Sequence, residues 1–313
     1  MLALRIGVSA AMLALLLSRV HLSSLLPERQ ASTIPWLVVA LVVWMAAVAL
    51  SVVRWQRVLD AIDHPAPASA LTSYTLAGLF VANFLPSTIG GDVLRVVRLS
   101  ADNGDAPASF ASVVLERLTG FVVLPMITLA ALAVDPSLLG LGAASKLALA
   151  LSVASLVALV AILAVAASTR LGGRLANHEN WPRFVGAVHL GIDRIRRRPA
   201  AAATVMVSSF AYQLTIILAA FAASRALGLT VGLVPLLAFV PVVAIAQVLP
   251  ISVGGLGLRE GALVLLLAPL GVGAAKATAL GLLLYGINLV VSLLGAAPFA
   301  MWSRNPRVMA MAE

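Results

Sequence analysis

No cysteine occurs among the 313 residues, so disulfides, thiolate metal sites and cysteine nucleophiles are excluded. Charge is scarce as well: Asp, Glu, Lys and Arg make up 11% of the chain, and only 12 residues are acidic. The four histidines, His21, His64, His178 and His189, are scattered without metal-ligand spacing, and no phosphate-loop signature for ATP occurs. These absences point away from a metalloenzyme or an ATP-driven motor, and no cofactor is expected.

What the chain has instead is apolar sequence. Hydrophobic residues make up 62% and the mean hydropathy is +1.07, beyond any ordinary soluble domain. Near-continuous apolar stretches run at about 6–18, 34–53, 71–90, 110–134, 147–167, 201–222, 231–251 and 278–301. Most are long enough to span a bilayer as helices, which satisfy their own backbone hydrogen bonds in lipid. The expected fold is an all-α polytopic membrane protein with about six to eight transmembrane helices. The N-terminal run after Arg5 reads as a retained first helix, because no small-residue cleavage site follows it.

Basic residues outnumber acidic ones 21 to 12, giving a net charge of +9. Their distribution is that of topology signals rather than of a nucleic-acid surface, and no nucleic-acid partner is expected. Arg170, Arg174, Arg183, Arg194, Arg196, Arg197 and Arg198 fall in one polar connection, about 168–200, which the positive-inside rule makes cytoplasmic. Walking outwards from this loop places Arg5, Arg54, Arg57, Arg304 and Arg307 inside, with both termini, and Arg19, Arg29, Lys146, Arg225 and Lys276 outside. Trp36, Trp44, Trp55 and Trp302 read as interfacial anchors or packing residues, and the three tyrosines carry no separate signal.

One phrase occurs twice. Leu-Pro-x-x-x-Gly-Gly-x-x-x-Arg runs from Leu85 to Arg95 and again from Leu249 to Arg259, a constant offset of 164, with an amide before each copy at Asn83 and Gln247. The flanking apolar segments near 34, 110, 201 and 278 keep roughly the same offset. With the basic loop inside, the segments around 65–107 and 232–277 must each return to the side from which they start. The expectation is therefore one membrane domain over 1–313, holding two inverted units of helix, re-entrant helical hairpin and helix, about 34–134 and 201–302.

The motif has an evident chemistry. Pro86 and Pro250 remove a backbone donor, while Gly90-Gly91 and Gly254-Gly255 permit backbone that other residues resist. A helix starting just after the glycines would aim unpaired N–H groups and a positive dipole end at an anion. Arg95 and Arg259, one turn on, add forked donors suited to phosphate, and Arg98 shares a face with Arg95. Asp92, Glu116 and Glu260 are carboxylates in or beside apolar sequence, each needing a partner, a watery cavity or a function. Asp92 can pair with Arg95 three residues on, Glu116 with Arg117 can mark a membrane interface, and Glu260 can carry protons. Asn83 and Gln247 are suited to hydrogen-bonding the interrupted backbone.

The segments NFLPSTIGGDVLR (83–95), VLERLTG (114–120) and VLPISVGGLGLREG (248–261) resemble the lysylphosphatidylglycerol synthase transmembrane region, the flippase-like domain of bacterial membrane proteins. The resemblance implies a bacterial inner-membrane protein with two re-entrant elements that moves, or helps to move, lipid between leaflets. Asp92, Arg95, Glu116, Arg117, Arg259 and Glu260 are the motif positions it carries over. Bifunctional members continue into a soluble domain that transfers an amino acid from aminoacyl-tRNA to phosphatidylglycerol, whereas this sequence stops at Glu313, so no enzymatic activity is expected. The expected partners are lipids with anionic headgroups. A non-transporting partner of a lipid-modifying enzyme or glycosyltransferase is the alternative role, and a membrane-embedded lipid transferase a further one.

Overall fold

The computed structural model describes residues 32–84, 89–167, 198–248 and 255–303. Among these residues the fold is helical, without strands. Helix α1 spans Thr33–Ala61, α2 Ala68–Phe84, α3 Ile89–Asn103, α4 Ala106–Val134 and α5 Ala143–Ala167. After the basic connection come α6 Pro199–Ala226, α7 Leu233–Ala246, α8 Leu258–Leu267, α9 Ala274–Ser292 and α10 Ala296–Ser303. Short 3-10 turns at Pro136–Gly140, Ala268–Leu270 and Leu293–Gly295 join several of them.

Among the described residues, five helical stretches are long and apolar enough to cross a membrane: Thr33–Ala61, Ala106–Val134, Ala143–Ala164, Pro199–Ala226 and Ala274–Met301. The expected first helix, residues 6–18, lies outside the described residues, as do Arg5 and most of the basic loop. Many side chains on the long helices face outwards although apolar, including Ile34, Val38 and Val42 on α1 and Val153, Val157 and Val160 on α5. Such surface is tolerable where the surroundings are lipid rather than water.

The segments carrying the repeated phrase are different. Helix α7 has 14 residues, α8 has 10 and α3 has 15. At about 1.5 Å per residue none reaches the roughly 30 Å of a hydrocarbon core. Helix starts and stops follow local chemistry. Gly104, with φ 71°, takes the left-handed turn that ends α3. The Asp105 carboxylate then accepts the Ala108 N–H at 2.9 Å and caps α4.

The chain divides into two compact units. One comprises Met1–Ala47, Val123–Ser155 and Gln213–Val291, and contains α7 and α8 with the second copy of the phrase. The other comprises Val48–Val122, Leu156–Tyr212 and Ser292–Glu313, and contains α2, α3 and α10 with the first copy. Helix α2 packs along α3 with backbones nearly touching: a Cβ on Gly91 would strike the carbonyl oxygen of Gly78. On α2's other contact, a Cβ at Gly295 would strike the Leu76 carbonyl, so the turn before α10 is also seated directly on α2 backbone. The core beneath consists of fully buried Trp55, Leu59, Ile62 and Leu71. Burying such side chains stabilises the packing by about 1.5–3 kcal/mol each where the alternative is water, and by dispersion alone where it is lipid.

Candidate functional site

Four of the arginines and carboxylates singled out in the first copy and in the segment 114–120 meet in one network, and an unexpected fifth member joins them. Glu116, on α4, is 1% exposed. Its Oε1 accepts from Arg54 Nη2 at 2.5 Å and Nε at 3.2 Å, and its Oε2 accepts from Arg95 Nη2. Next to it in sequence, Arg117 makes a forked pair with Asp92, Nε at 2.9 Å and Nη2 at 2.8 Å. Arg95 completes the circuit at 3.4 Å from Asp92. Three guanidinium groups therefore share two carboxylates. The Arg95 Nε is buried and has no hydrogen-bond partner.

Aromatic faces support the cations. The Arg95 guanidinium lies 4.0 Å above the Trp55 ring and that of Arg54 lies 4.4 Å above Tyr212. A cation over a π face gains about 2 kcal/mol or more when desolvated, partly offsetting its removal from water. Trp55 is held in turn by its indole N–H, which donates to Ser112 Oγ at 3.0 Å.

Several expectations change here. Arg54, assigned by the sequence to orientation, is 5% exposed and pairs with Glu116, because α1 presents it to α4 within the core. Glu116 is the centre of the network, paired with Arg54 and Arg95 rather than with its neighbour Arg117. Arg98 is buried like Arg95 yet faces another neighbour: its Nη2 donates to the Pro298 carbonyl at 3.1 Å and its guanidinium stands 5.9 Å from the Tyr74 ring, whose hydroxyl bonds Asp102. The tyrosines carry a role after all, since each of the three lies beneath an arginine, Tyr285 being 5.6 Å from Arg259. Tyrosine is too common beside membrane helices for its position to announce this. The glycines Gly90 and Gly91 also sit inside the first turn of α3 rather than before it, as that helix begins at Ile89. Asp92 occupies this first turn, where its charge complements the helix dipole.

The second copy, in the other unit, keeps the scaffold and changes the charges. Asn83 Nδ2 donates to the carbonyl four residues back, Leu79, at 3.0 Å, and Gln247 Nε2 does the same to Val243 at 3.2 Å. Both amides thus bond a carbonyl of their own helix rather than the interrupted backbone. Gln247 Oε1 also accepts from Arg259, Nε at 3.1 Å and Nη2 at 3.0 Å. Gly255 takes φ 77° directly beside this amide, where a Cβ would collide with Gln247. Helix α8 starts only at Leu258, after the glycines. Glu260 is wholly buried, and its Oε2 accepts the Gly257 N–H at 2.6 Å. Pro86, Pro250 and Gly254 lie outside the described residues.

With the motif residues thus placed, comparison with known families gives one result. The sequence profile of the lysylphosphatidylglycerol synthase TM region matches residues 2–295. The chain belongs to this family. Comparison with curated proteins and with solved structures returned no match. Of the positions carried over from the lysylphosphatidylglycerol synthase TM region, Asp92, Arg95, Glu116 and Arg117 form one connected cluster, while Arg259 and Glu260 belong to the other unit.

Proposed function

We propose that the protein is a lipid flippase, or flippase-like transporter, of the bacterial inner membrane, moving a phosphate-bearing lipid between leaflets without catalytic chemistry. The observation that carries this reading is that two buried arginines, Arg54 and Arg95, share one buried carboxylate, Glu116, and that the Arg95 Nε–H is unmet. A buried excess charge is expensive unless an anion relieves it. Arg54 and Arg95 already grip the two oxygens of one carboxylate, the geometry in which arginine pairs hold a phosphate. A phospholipid or polyprenyl-phosphate headgroup supplies such a charge at membrane depth.

The duplicated hairpins supply the second part of the reading. Elements too short to cross, each interrupted by a Pro and Gly-Gly phrase, fit re-entrant segments of an inverted repeat, with both termini and the basic loop cytoplasmic. Alternating exposure of the headgroup to each leaflet would complete the transport cycle.

The test is a leaflet-resolved assay in proteoliposomes with labelled phosphatidylglycerol and polyprenyl phosphate, comparing the intact chain with Arg95→Lys and with Arg95→Ala combined with Arg259→Ala. Arg95→Lys keeps the charge but loses the fork, so movement should slow there and stop in the double variant. Failure of the intact chain to move either lipid above protein-free vesicles would reject transport of these headgroups. Recovery of a lipid-modifying enzyme or glycosyltransferase in stable complex with the inactive chain would replace it by the accessory role.

A further inference from the structure

Of the three carboxylates near the repeated phrases, two are committed to arginine. Asp92 is gripped by Arg117 and Glu116 by Arg54 and Arg95. Glu260 differs. It is 0% exposed, it makes no ion pair among the described residues, and its Oε1 is buried without a hydrogen-bond partner. Its side chain rests on α9 at Gly281, where a Cβ would come within 2.9 Å of Cγ and 3.1 Å of Oε1. Thr278, one turn earlier on α9, is also fully buried and its hydroxyl has no partner. Two orphaned oxygens thus sit on two helices that touch, and Leu263, Leu266 and Leu280 on the same helices are also buried.

The charged and titratable groups around Glu260 are few. On its own helix Arg259 interacts with it electrostatically, with its fork turned to Gln247. Helix α9 contributes Tyr285, whose ring lies against Arg259, while Lys276 is exposed. Helix α7 presents no ionisable side chain at all.

A capping role explains only half of this carboxylate. Glu260 stands three residues after Gly257 and accepts its N–H, but that uses Oε2 alone. Nor does the hairpin scaffold demand an acid there, since the residue 164 positions earlier, on α3, is Val96. A buried carboxyl with one idle oxygen is the group whose proton can come and go with least disruption of ion pairs.

We propose that Glu260 is a proton-binding site through which lipid movement is coupled to the transmembrane proton gradient. The lipid part of this inference rests on the flippase reading above. On protonation the Oε1 takes up the proton as O–H while Oε2 keeps its bond to Gly257, so the event neutralises the buried charge without breaking the cap.

Glu260→Gln tests it cleanly, because glutamine also serves at this capping position and preserves the side-chain shape. The full-length protein is reconstituted with labelled phosphatidylglycerol or polyprenyl phosphate, and movement is compared with and without an imposed pH gradient. The intact chain should respond to the gradient, and in Glu260→Gln the ratio of the two rates should fall to one. Infrared difference spectra on acidification should show a protonated-carboxyl band that Glu260→Gln loses. A gradient response that survives the substitution, or a band that persists in it, would overturn the proposal. Loss of the band in a protein that moves no lipid would uphold the proton site and reject the flippase reading instead.

Discussion

Two neighbouring residues, Glu116 and Arg117, are both charged and both in ion pairs, yet the structure assigns them very different weights. Removing Glu116 leaves the buried guanidinium groups of Arg54 and Arg95 without their shared carboxylate, and breaking a buried pair in this way costs about 3–5 kcal/mol. The three hydrogen bonds into Glu116 support that range, as each bond to a charged group is worth about 1.5–3 kcal/mol and they are not additive. Arg117 has 53% of its side chain exposed, so its pair with Asp92 contributes at most about 1 kcal/mol. At about 2–4 °C per kcal/mol, Glu116→Ala should lower the Tm of the detergent-solubilised protein by about 6–20 °C, and Arg117→Ala by no more than about 4 °C. Adding Arg54→Gln to Glu116→Ala should recover part of the loss, since one stranded cation is then gone. Equal shifts for the two single variants, or no recovery in the double one, would refute the buried network as the stabilising element.

Substitutions at three further positions probe the segments that carry the repeated phrase. Gly91→Ala drives a Cβ into the Gly78 carbonyl and should cost about 1–3 kcal/mol by forcing α2 from α3, whereas Gly261→Ala, with nothing within 4 Å of the new Cβ, should be neutral or mildly stabilising in the same thermal melt. Gln247→Leu removes the acceptor of two Arg259 hydrogen bonds and should cost about 1.5–3 kcal/mol, read as a Tm drop that Gln247→Glu largely avoids.

The difference between what was legible in the sequence and what was not has a physical origin. Helices in lipid must close their own hydrogen bonds, so long apolar runs announce themselves, and the five long spans appear where the runs predict. Each amide bonds a carbonyl four residues back in its own helix, a local contact of the kind that spacing along one helix makes legible. Arg54 was invisible because its partner is 62 residues away, and a basic residue near the end of an apolar run looks like an orientation signal whether or not it is buried. The same holds for Trp55 and Tyr212 beneath their arginines, contacts made by packing between helices rather than by spacing along one.

The two copies of the phrase part company at their acids, and that divergence bears on mechanism. Shifted by 164, Arg95 falls on Arg259 and Asn83 on Gln247, but Asp92 falls on Leu256 and Glu116 on Leu280, while Glu260 has Val96 as its counterpart. The duplicated part is therefore the frame, an amide bonded back to its own helix and an arginine one turn beyond the glycines. Were the acids needed to build that frame, both copies would carry them at matching positions. Each copy places its carboxylates differently, with Glu116 locked between two arginines and Glu260 holding an idle oxygen. On the two proposals made above, an anionic headgroup would sit at the first and a proton at the second, a division of labour that a symmetric pair of sites could not support.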